Sequence, residues 1–157
     1  ENVMPANFNG PNQIVISGHA KACESAVEWI KNNFSGSHRA IELKVSAPFH
    51  SLLMKNAADK LNNYLNKIEI RENLYPYIAN VDAKEYLTGT SSTVIQNNLF
   101  TQVVGSVLWE QSFNLLEDNT ICIEVGPGKV LAGLAKKINS SINVISLDNE
   151  KSWNQII

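Results

Sequence analysis

Short β-branched runs alternate with stretches of helical spacing along this sequence, and the alternation limits the chain to a mixed α/β fold. The clearest run, Ile-Cys-Ile-Glu-Val at 121–125, ends in Gly-Pro-Gly and is followed by apolar residues spaced as in a helix. These patterns predict strands at 13–17, 41–45, 75–81, 121–125 and 142–147, and helices over 23–34, 53–68, 95–103, 107–116 and 130–138. Such an order predicts a largely parallel sheet, with 121–125 buried on both faces.

A change of rhythm near Pro48 divides the sequence into two parts. Residues 12–46 show a strand, a helix and a second strand, with Ser-Gly-Ser at 35–37 breaking the helix. A long amphipathic helix follows Pro48 and opens a second series of elements. We therefore expect a small unit to precede a larger one.

Composition excludes several classes of protein. Thirteen basic residues against fifteen acidic ones give a net charge of −2, so the basic excess of a nucleic-acid binder is missing. The sequence contains no apolar run of the roughly 18 residues that a membrane span needs. Cys23 and Cys122 stand far apart without histidines at ligand spacing, which favours two free thiols over a disulfide and predicts no metal site. We expect neither nucleic acid nor a membrane among the partners.

Histidine and asparagine side chains supply two candidate positions for chemistry. His50 lies between a predicted strand and a predicted helix, where a neutral imidazole can act as a general base or can simply pack. Asn7 and Asn9 lie two residues apart in an extended or loop stretch rich in glycine and proline. On an extended chain both would point the same way and could hold one polar ligand, whereas in a turn they would serve the backbone.

A glycine turn supplies the third candidate, at Glu-Val-Gly-Pro-Gly-Lys over 124–129. A strand, a glycine turn and the start of a helix place backbone N–H groups where they can bind an anion. The spacing matches neither a Walker A loop nor a dinucleotide fingerprint, because residue 131 is leucine where the latter has glycine. A tight strand-to-helix connection with Lys129 in solvent explains the pattern equally well.

Five segments in register resemble the malonyl-CoA:acyl carrier protein transacylase family. Any one of them would be a weak signal, but their order and spacing agree along essentially the whole chain. The segments are Ala-Asn-Phe-Asn-Gly-Pro at 6–11, Gln-Ile-Val-Ile-Ser-Gly at 13–18, Ala-Pro-Phe-His-Ser at 47–51 with Leu-Met at 53–54, Asn-Val at 80–81, and Glu-Val-Gly-Pro-Gly-Lys-Val-Leu at 124–131. The resemblance covers the C-terminal half of that family.

The resemblance implies an α/β-hydrolase-like core with a ferredoxin-like small subdomain, of which this chain holds only part. It assigns residues 1–46 to the second half of the small subdomain and residues 47–157 to the C-terminal part of the core. The break that periodicity places near Pro48 agrees with this division. Because the chain opens on Glu-Asn-Val-Met, we expect an internal cut in a longer protein.

The implied reaction moves a malonyl group from malonyl-CoA to the phosphopantetheine thiol of holo acyl carrier protein through a serine acyl-enzyme, without a cofactor. The resemblance makes His50 the base and acid of the reaction, oriented by the backbone carbonyl of Gln102 instead of a carboxylate. It also implies that Asn7 and Asn9 contact coenzyme A and that Arg39 lies near its phosphates or the pantetheine arm. Phe49, directly before the histidine, would fill the space that an α-methyl group needs and so favour malonyl over methylmalonyl.

The family's nucleophile is missing from the sequence. The Gly-x-Ser-x-Gly pattern of a nucleophile elbow does not occur in these 157 residues. We therefore expect the serine to lie in an N-terminal half that would be a partner of this chain.

Two other functions stay open: a non-catalytic module that binds coenzyme A or carrier protein, and an acyltransferase domain of a polyketide synthase. The expected compartment is the cytoplasm for a bacterial source and a plastid or mitochondrion for a eukaryotic one.

Overall fold

The computed structural model describes residues 2–36 and 39–148 and has an α/β architecture. Each of its three sheets contains two strands. In chain order the elements are β1 (Val3–Gly10), β2 (Gln13–Gly18), α1 (Ala20–Asn33), a 3₁₀ turn (Leu52–Met54), α2 (Lys55–Leu65), β3 (Tyr77–Ile78), β4 (Glu85–Tyr86), α3 (Ser92–Val104), α4 (Trp109–Phe113), β5 (Ile121–Val125), α5 (Val130–Ile138) and β6 (Asn143–Leu147). Within these described residues, no helix is long and apolar enough to cross a membrane.

The first two strands form an antiparallel hairpin that differs from the predicted strand–helix–strand unit. The partner of β2 is β1, which precedes it, and their register runs from Val3 opposite Gly18 to Gly10 opposite Gln13. The strand predicted at 41–45 does not form. Its alternating apolar residues are exposed, Ile41 by 63%, and these described residues pair with no sheet edge. Alternation produces a strand only where another strand pairs with it, and no strand of the described residues pairs with 41–45.

The predicted parallel sheet is present as one βαβ unit. β5 and β6 pair in parallel in register from Ile121 opposite Asn143 to Val125 opposite Leu147, and α5 connects them. The other two sheets are antiparallel hairpins, so the prediction of a largely parallel sheet is wrong for the described residues. Hairpins need only a short turn between neighbouring strands, whereas each parallel pair needs a crossover such as α5.

Burial of β5 also differs from the prediction, because only one face of the strand is covered. Cys122 packs against a core cluster of Phe113, Ala135 and Ile142. On the opposite face, Ile121 and Val125 are 67% and 76% exposed. The βαβ unit therefore presents an apolar sheet face to solvent.

Helices α2 and α3 pack against each other near the middle of the chain. Ala58 and Leu65 of α2 are buried, and the Gln96 side-chain amide of α3 donates hydrogen bonds to Asn62 and Asn66 at 3.2 and 2.6 Å. The helix predicted over 53–68 begins instead as a 3₁₀ turn and ends earlier, at Leu65. The helix predicted before Gly105 forms as expected and ends there.

Glu124 caps the start of α5 from the strand that precedes it. Its carboxylate accepts hydrogen bonds from the backbone N–H groups of Leu131 and Ala132, at 2.8 and 3.2 Å, and from the Ser146 hydroxyl at 2.7 Å. Partial burial alone would raise the pKa of Glu124, but the three hydrogen bonds, led by that of Ser146, outweigh it and lower the pKa below its ordinary value. The ionised carboxylate therefore stabilises the βαβ unit.

We predict that Glu124→Gln lowers the free energy of unfolding by about 0.5–2 kcal/mol at pH 7, the usual range for a lost helix cap. Because folding lowers the pKa of this group, its contribution is complete above the unfolded pKa of about 4.3. It disappears as the pH falls through the folded pKa. Urea unfolding of both proteins between pH 7 and pH 3 measures the difference.

The exposed Glu117 provides the control, since Glu117→Gln removes a carboxylate without removing a helix cap. Equal unfolding curves for the Glu124→Gln variant and the unaltered protein at pH 7 would show that the cap contributes nothing.

Candidate active site

His50 lies in a tight turn between the irregular segment 39–45 and the 3₁₀ turn. Its backbone has a φ of 57°, in the left-handed region that residues with a Cβ avoid. The Phe49 N–H donates to the Ala47 carbonyl at 2.9 Å, and the Ser51 hydroxyl donates to the Pro48 carbonyl at 2.7 Å. A non-glycine residue in this conformation costs about 1–3 kcal/mol and is held only by its surroundings. The turn therefore fixes the direction of the half-buried His50 side chain.

The imidazole of His50 is hydrogen-bonded to the carboxyl end of α3. Its Nδ1 lies 2.9 Å from the backbone carbonyl oxygen of Gln102. The last carbonyls of a helix have no N–H partner within the helix, so the one at Gln102 is available to a side chain. A carbonyl can only accept, so Nδ1 must donate its proton. In the neutral ring, Nε2 is then the nitrogen that can accept a proton.

Asn7 and Asn9 both lie on β1 and are half-buried. The register of β1 shifts between Phe8 and Gly10, so the strict alternation that would point the two amides the same way is interrupted. β1 is joined to Val107, whose N–H donates to the Ala6 carbonyl at 2.8 Å. This contact sets β1 beside the segment that follows α3, close in sequence to Gln102.

Phe49 and Arg39 both precede His50 in the sequence, but only Phe49 lies beside it in the turn. Phe49 is next to His50 in the turn, and its ring is 48% exposed. Arg39 is exposed in the irregular segment, and no hydrogen bond or ion pair among the described residues joins its guanidinium to the turn. The structure therefore brings together His50, Gln102 and Phe49 and leaves Arg39 apart.

The glycine turn after β5 is a tight connection and not an open anion site. Gly126 and Gly128 have φ angles of 144° and 88°, which explains the two glycines. The first N–H groups of α5, at Leu131 and Ala132, already bind the Glu124 carboxylate. Of the two interpretations that the sequence left open, the tight turn is the one that fits.

The structure also contains a cavity that the sequence does not predict. A cavity of about 200 Å³ lies between α4 and β5, and it is lined by Trp109, Ser112 and Ile123. Trp109 Nε1 and Ser112 Oγ are buried and have no hydrogen-bond partner among the described residues. Buried donors normally have partners, so these two atoms are exceptions among the described residues. No sequence pattern predicts the cavity.

We predict that Gly105→Ala destabilises the protein by about 1–3 kcal/mol, the range for an overpacked site. A Cβ at Gly105 would lie 2.9 Å from the Thr101 carbonyl oxygen, which accepts the Gly105 N–H at the end of α3. Backbone must therefore shift beside the carbonyl that holds His50.

The matched control is Gly133→Ala, since a Cβ at this exposed position of α5 meets nothing within 4 Å. There alanine should stabilise the helix by up to about 1 kcal/mol. Chemical denaturation distinguishes the two variants, and a Gly105→Ala protein as stable as the original would contradict the packing described here.

Comparisons of sequence and of fold find the same group of similar proteins. No protein-family model matches the chain. It is 45% identical over 152 residues to the malonyl-CoA-acyl carrier protein transacylase of Bacillus subtilis, covering 96% of this chain and 46% of that protein. The chain spans about half the length of the curated relatives it matches.

Two solved structures show the likeness of fold. The transacylase of Clostridium perfringens superposes with a TM-score of 0.86 at 39% identity, over 99% of this chain and 48% of that one. A malonyl-transacylase solved in complex with a type II polyketide synthase acyl-carrier protein gives 0.89 at 35% identity, over 98% and 49%. Identity at this level over nearly the whole chain, together with the matching fold, shows that the chain is homologous to about half of the length of proteins named malonyl-CoA-acyl carrier protein transacylase.

Proposed function

We propose that this chain supplies one half of an acyltransferase that moves malonyl groups from malonyl-CoA to the phosphopantetheine thiol of acyl carrier protein. The observation that carries the proposal is the hydrogen bond between His50 Nδ1 and the Gln102 carbonyl, because it prepares Nε2 as a base. The similarity to the malonyl-CoA-acyl carrier protein transacylase of Bacillus subtilis supports the choice of substrates. One solved relative is in complex with an acyl-carrier protein, which supports the second substrate.

The reaction would proceed in two steps around His50. His50 Nε2 takes the proton of a serine hydroxyl while the serine oxygen attacks the malonyl thioester carbonyl. The carbon–sulfur bond breaks, and the departing coenzyme A sulfur receives that proton from His50. In the second step the carrier thiol gives its proton to His50 and attacks the malonyl-serine ester, and the serine oxygen leaves with the proton. Atoms and charges balance over the cycle.

The position of His50 at a helix end suits both steps. When Nε2 is protonated the ring is cationic, and the carboxyl end of α3 carries a partial negative charge that favours a cation. The Gln102 carbonyl keeps its hydrogen bond to Nδ1 in both forms of the ring, so the imidazole need not turn during the cycle. A carboxylate partner is therefore unnecessary.

Binding roles follow the same proposal. Asn7 and Asn9 would contact coenzyme A from β1, and the exposed Arg39 would lie near its phosphates, where a guanidinium is a suitable partner. Phe49 would limit the space beside the α-carbon of the acyl group. Discrimination against one methyl group is worth only about 1–3 kcal/mol, so the preference for malonyl would be partial.

In the proposed architecture, residues 47–157 contribute the C-terminal part of an α/β-hydrolase-like core, and residues 1–46 contribute half of a ferredoxin-like subdomain. The parallel β5–α5–β6 unit supports the first assignment, since such cores are built on parallel strands. The β1–β2 hairpin with α1 packed beside it supports the second.

The serine would come from the half of the family that this chain does not span. Two features of the described residues support a covering partner: the exposed face of β5 and its edge opposite β6, which pairs with no described strand. An unpaired strand edge beside apolar side chains is a place where a further strand can add. We use the term complete enzyme for this chain together with the other half of the protein, which would carry the serine.

We predict that His50→Ala lowers the rate of malonyl transfer by the complete enzyme about 10²–10⁴-fold, the usual effect of losing a general base. Transfer of radiolabelled malonyl groups to holo acyl carrier protein measures the rate, and circular dichroism checks the fold.

His19→Ala is the matched control, because His19 also bonds to backbone through Nδ1, at Asn2, but in the hairpin region. It should leave the rate unchanged. Full activity in the His50→Ala enzyme would remove His50 from the mechanism.

We also predict that residues 1–157 expressed alone transfer no label, because they contain no serine in a nucleophile elbow. Adding the separately expressed other half should restore transfer. A labelled serine within residues 1–157 would contradict the proposal, and binding of coenzyme A without restored transfer would favour a non-catalytic module.

A further inference from the structure

Ser51 is among the least exposed polar residues of the described chain, with 2% of its surface accessible. It stands at the N-cap position of the 3₁₀ turn, where a serine hydroxyl would ordinarily accept a hydrogen bond from the first backbone N–H groups. Here the hydroxyl makes no cap bond. It donates instead to the Pro48 carbonyl at 2.7 Å.

That hydrogen bond spans His50. Pro48 lies two residues before the histidine and Ser51 directly after it, so the bond closes a loop of four residues around the left-handed backbone. The Ser51 carbonyl meanwhile accepts the Met54 N–H at 2.9 Å, which ties the same residue to the 3₁₀ turn. Ser51 thereby connects the left-handed turn at His50 to the 3₁₀ turn that follows it.

We propose that Ser51 is a positioning residue that holds His50 in its left-handed conformation, and so keeps the imidazole on the Gln102 carbonyl with Nε2 directed at the reacting atoms. The inference rests on the proposed role of His50. A left-handed non-glycine residue persists only when its surroundings fix it. A partly buried hydrogen bond is a stronger restraint than an exposed one, since water competes less for it.

Loss of the hydroxyl would act on the catalytic step more than on substrate binding. Without the bond to Pro48, His50 can relax toward ordinary backbone angles, and its ring then moves from the position set by Gln102. A displacement of about 1 Å at a reacting group can cost 100-fold in rate. The coenzyme A contacts proposed for Asn7 and Asn9 lie on β1 and would be unaffected.

The test uses Ser51→Ala in the complete enzyme, with Thr120→Val as the matched control. The Thr120 hydroxyl makes the same kind of bond, to the carbonyl three residues earlier, at 2.6 Å beside β5. We expect Ser51→Ala to lower kcat about 10–100-fold while KM for malonyl-CoA changes less than about twofold. Thr120→Val should change neither. Ser51→Cys fills the same space with a weaker donor and should also lower kcat, which covers the case in which the alanine variant folds poorly.

A double-mutant cycle separates this inference from the proposed function. If Ser51 acts through His50, adding Ser51→Ala to the His50→Ala enzyme causes no further loss. An unchanged kcat in both Ser51 variants, or an equal loss in the presence and absence of His50, would overturn the positioning role. Full activity of His50→Ala would instead overturn the proposed function itself.

Discussion

The carboxyl end of α3 is the point on which the candidate site depends. The Gln102 carbonyl accepts the hydrogen bond of His50, and Gly105 ends the helix. The chain that follows bonds to β1 through Val107, and the Leu108 N–H donates to the Asn80 carbonyl at 2.8 Å. A helix end leaves carbonyls unpaired, and here the site is built where one of them meets a side chain.

This arrangement explains how a histidine can be oriented without an acidic partner. The carbonyl of Gln102 is fixed by the helix, and the left-handed turn at His50 is fixed by its own hydrogen bonds. Hydrogen bonds therefore hold both partners in place, as the proposed proton transfer requires. A substitution at Gly105 would act on the end of α3 that carries the Gln102 carbonyl, whereas a substitution at Ser51 would act on the turn that carries His50.

Periodicity predicted most of the helices and the β5–α5–β6 unit, because long amphipathic stretches and buried runs carry strong local signals. It failed where a strand depends on a partner. Residues 41–45 alternate correctly but pair with no sheet in the described residues, and β1 was missed because its Pro, Asn and Gly residues are typical of turns. The family resemblance named Gln102, which no spacing rule could do, since a backbone carbonyl leaves no trace in residue type. The hydrogen bond from the Ser51 hydroxyl could not be predicted either, because its acceptor is also a backbone carbonyl, that of Pro48.

The tautomer of His50 is the most direct test of this account, and NMR can measure it. Long-range ¹H–¹⁵N spectra of the complete enzyme, recorded where the ring is neutral and assigned by comparison with the His50→Ala variant, report which ring nitrogen carries the proton. The hydrogen bond to Gln102 predicts a protonated Nδ1 and an unprotonated Nε2. A ring protonated at Nε2 would have no lone pair to offer the serine and would contradict the proposed mechanism.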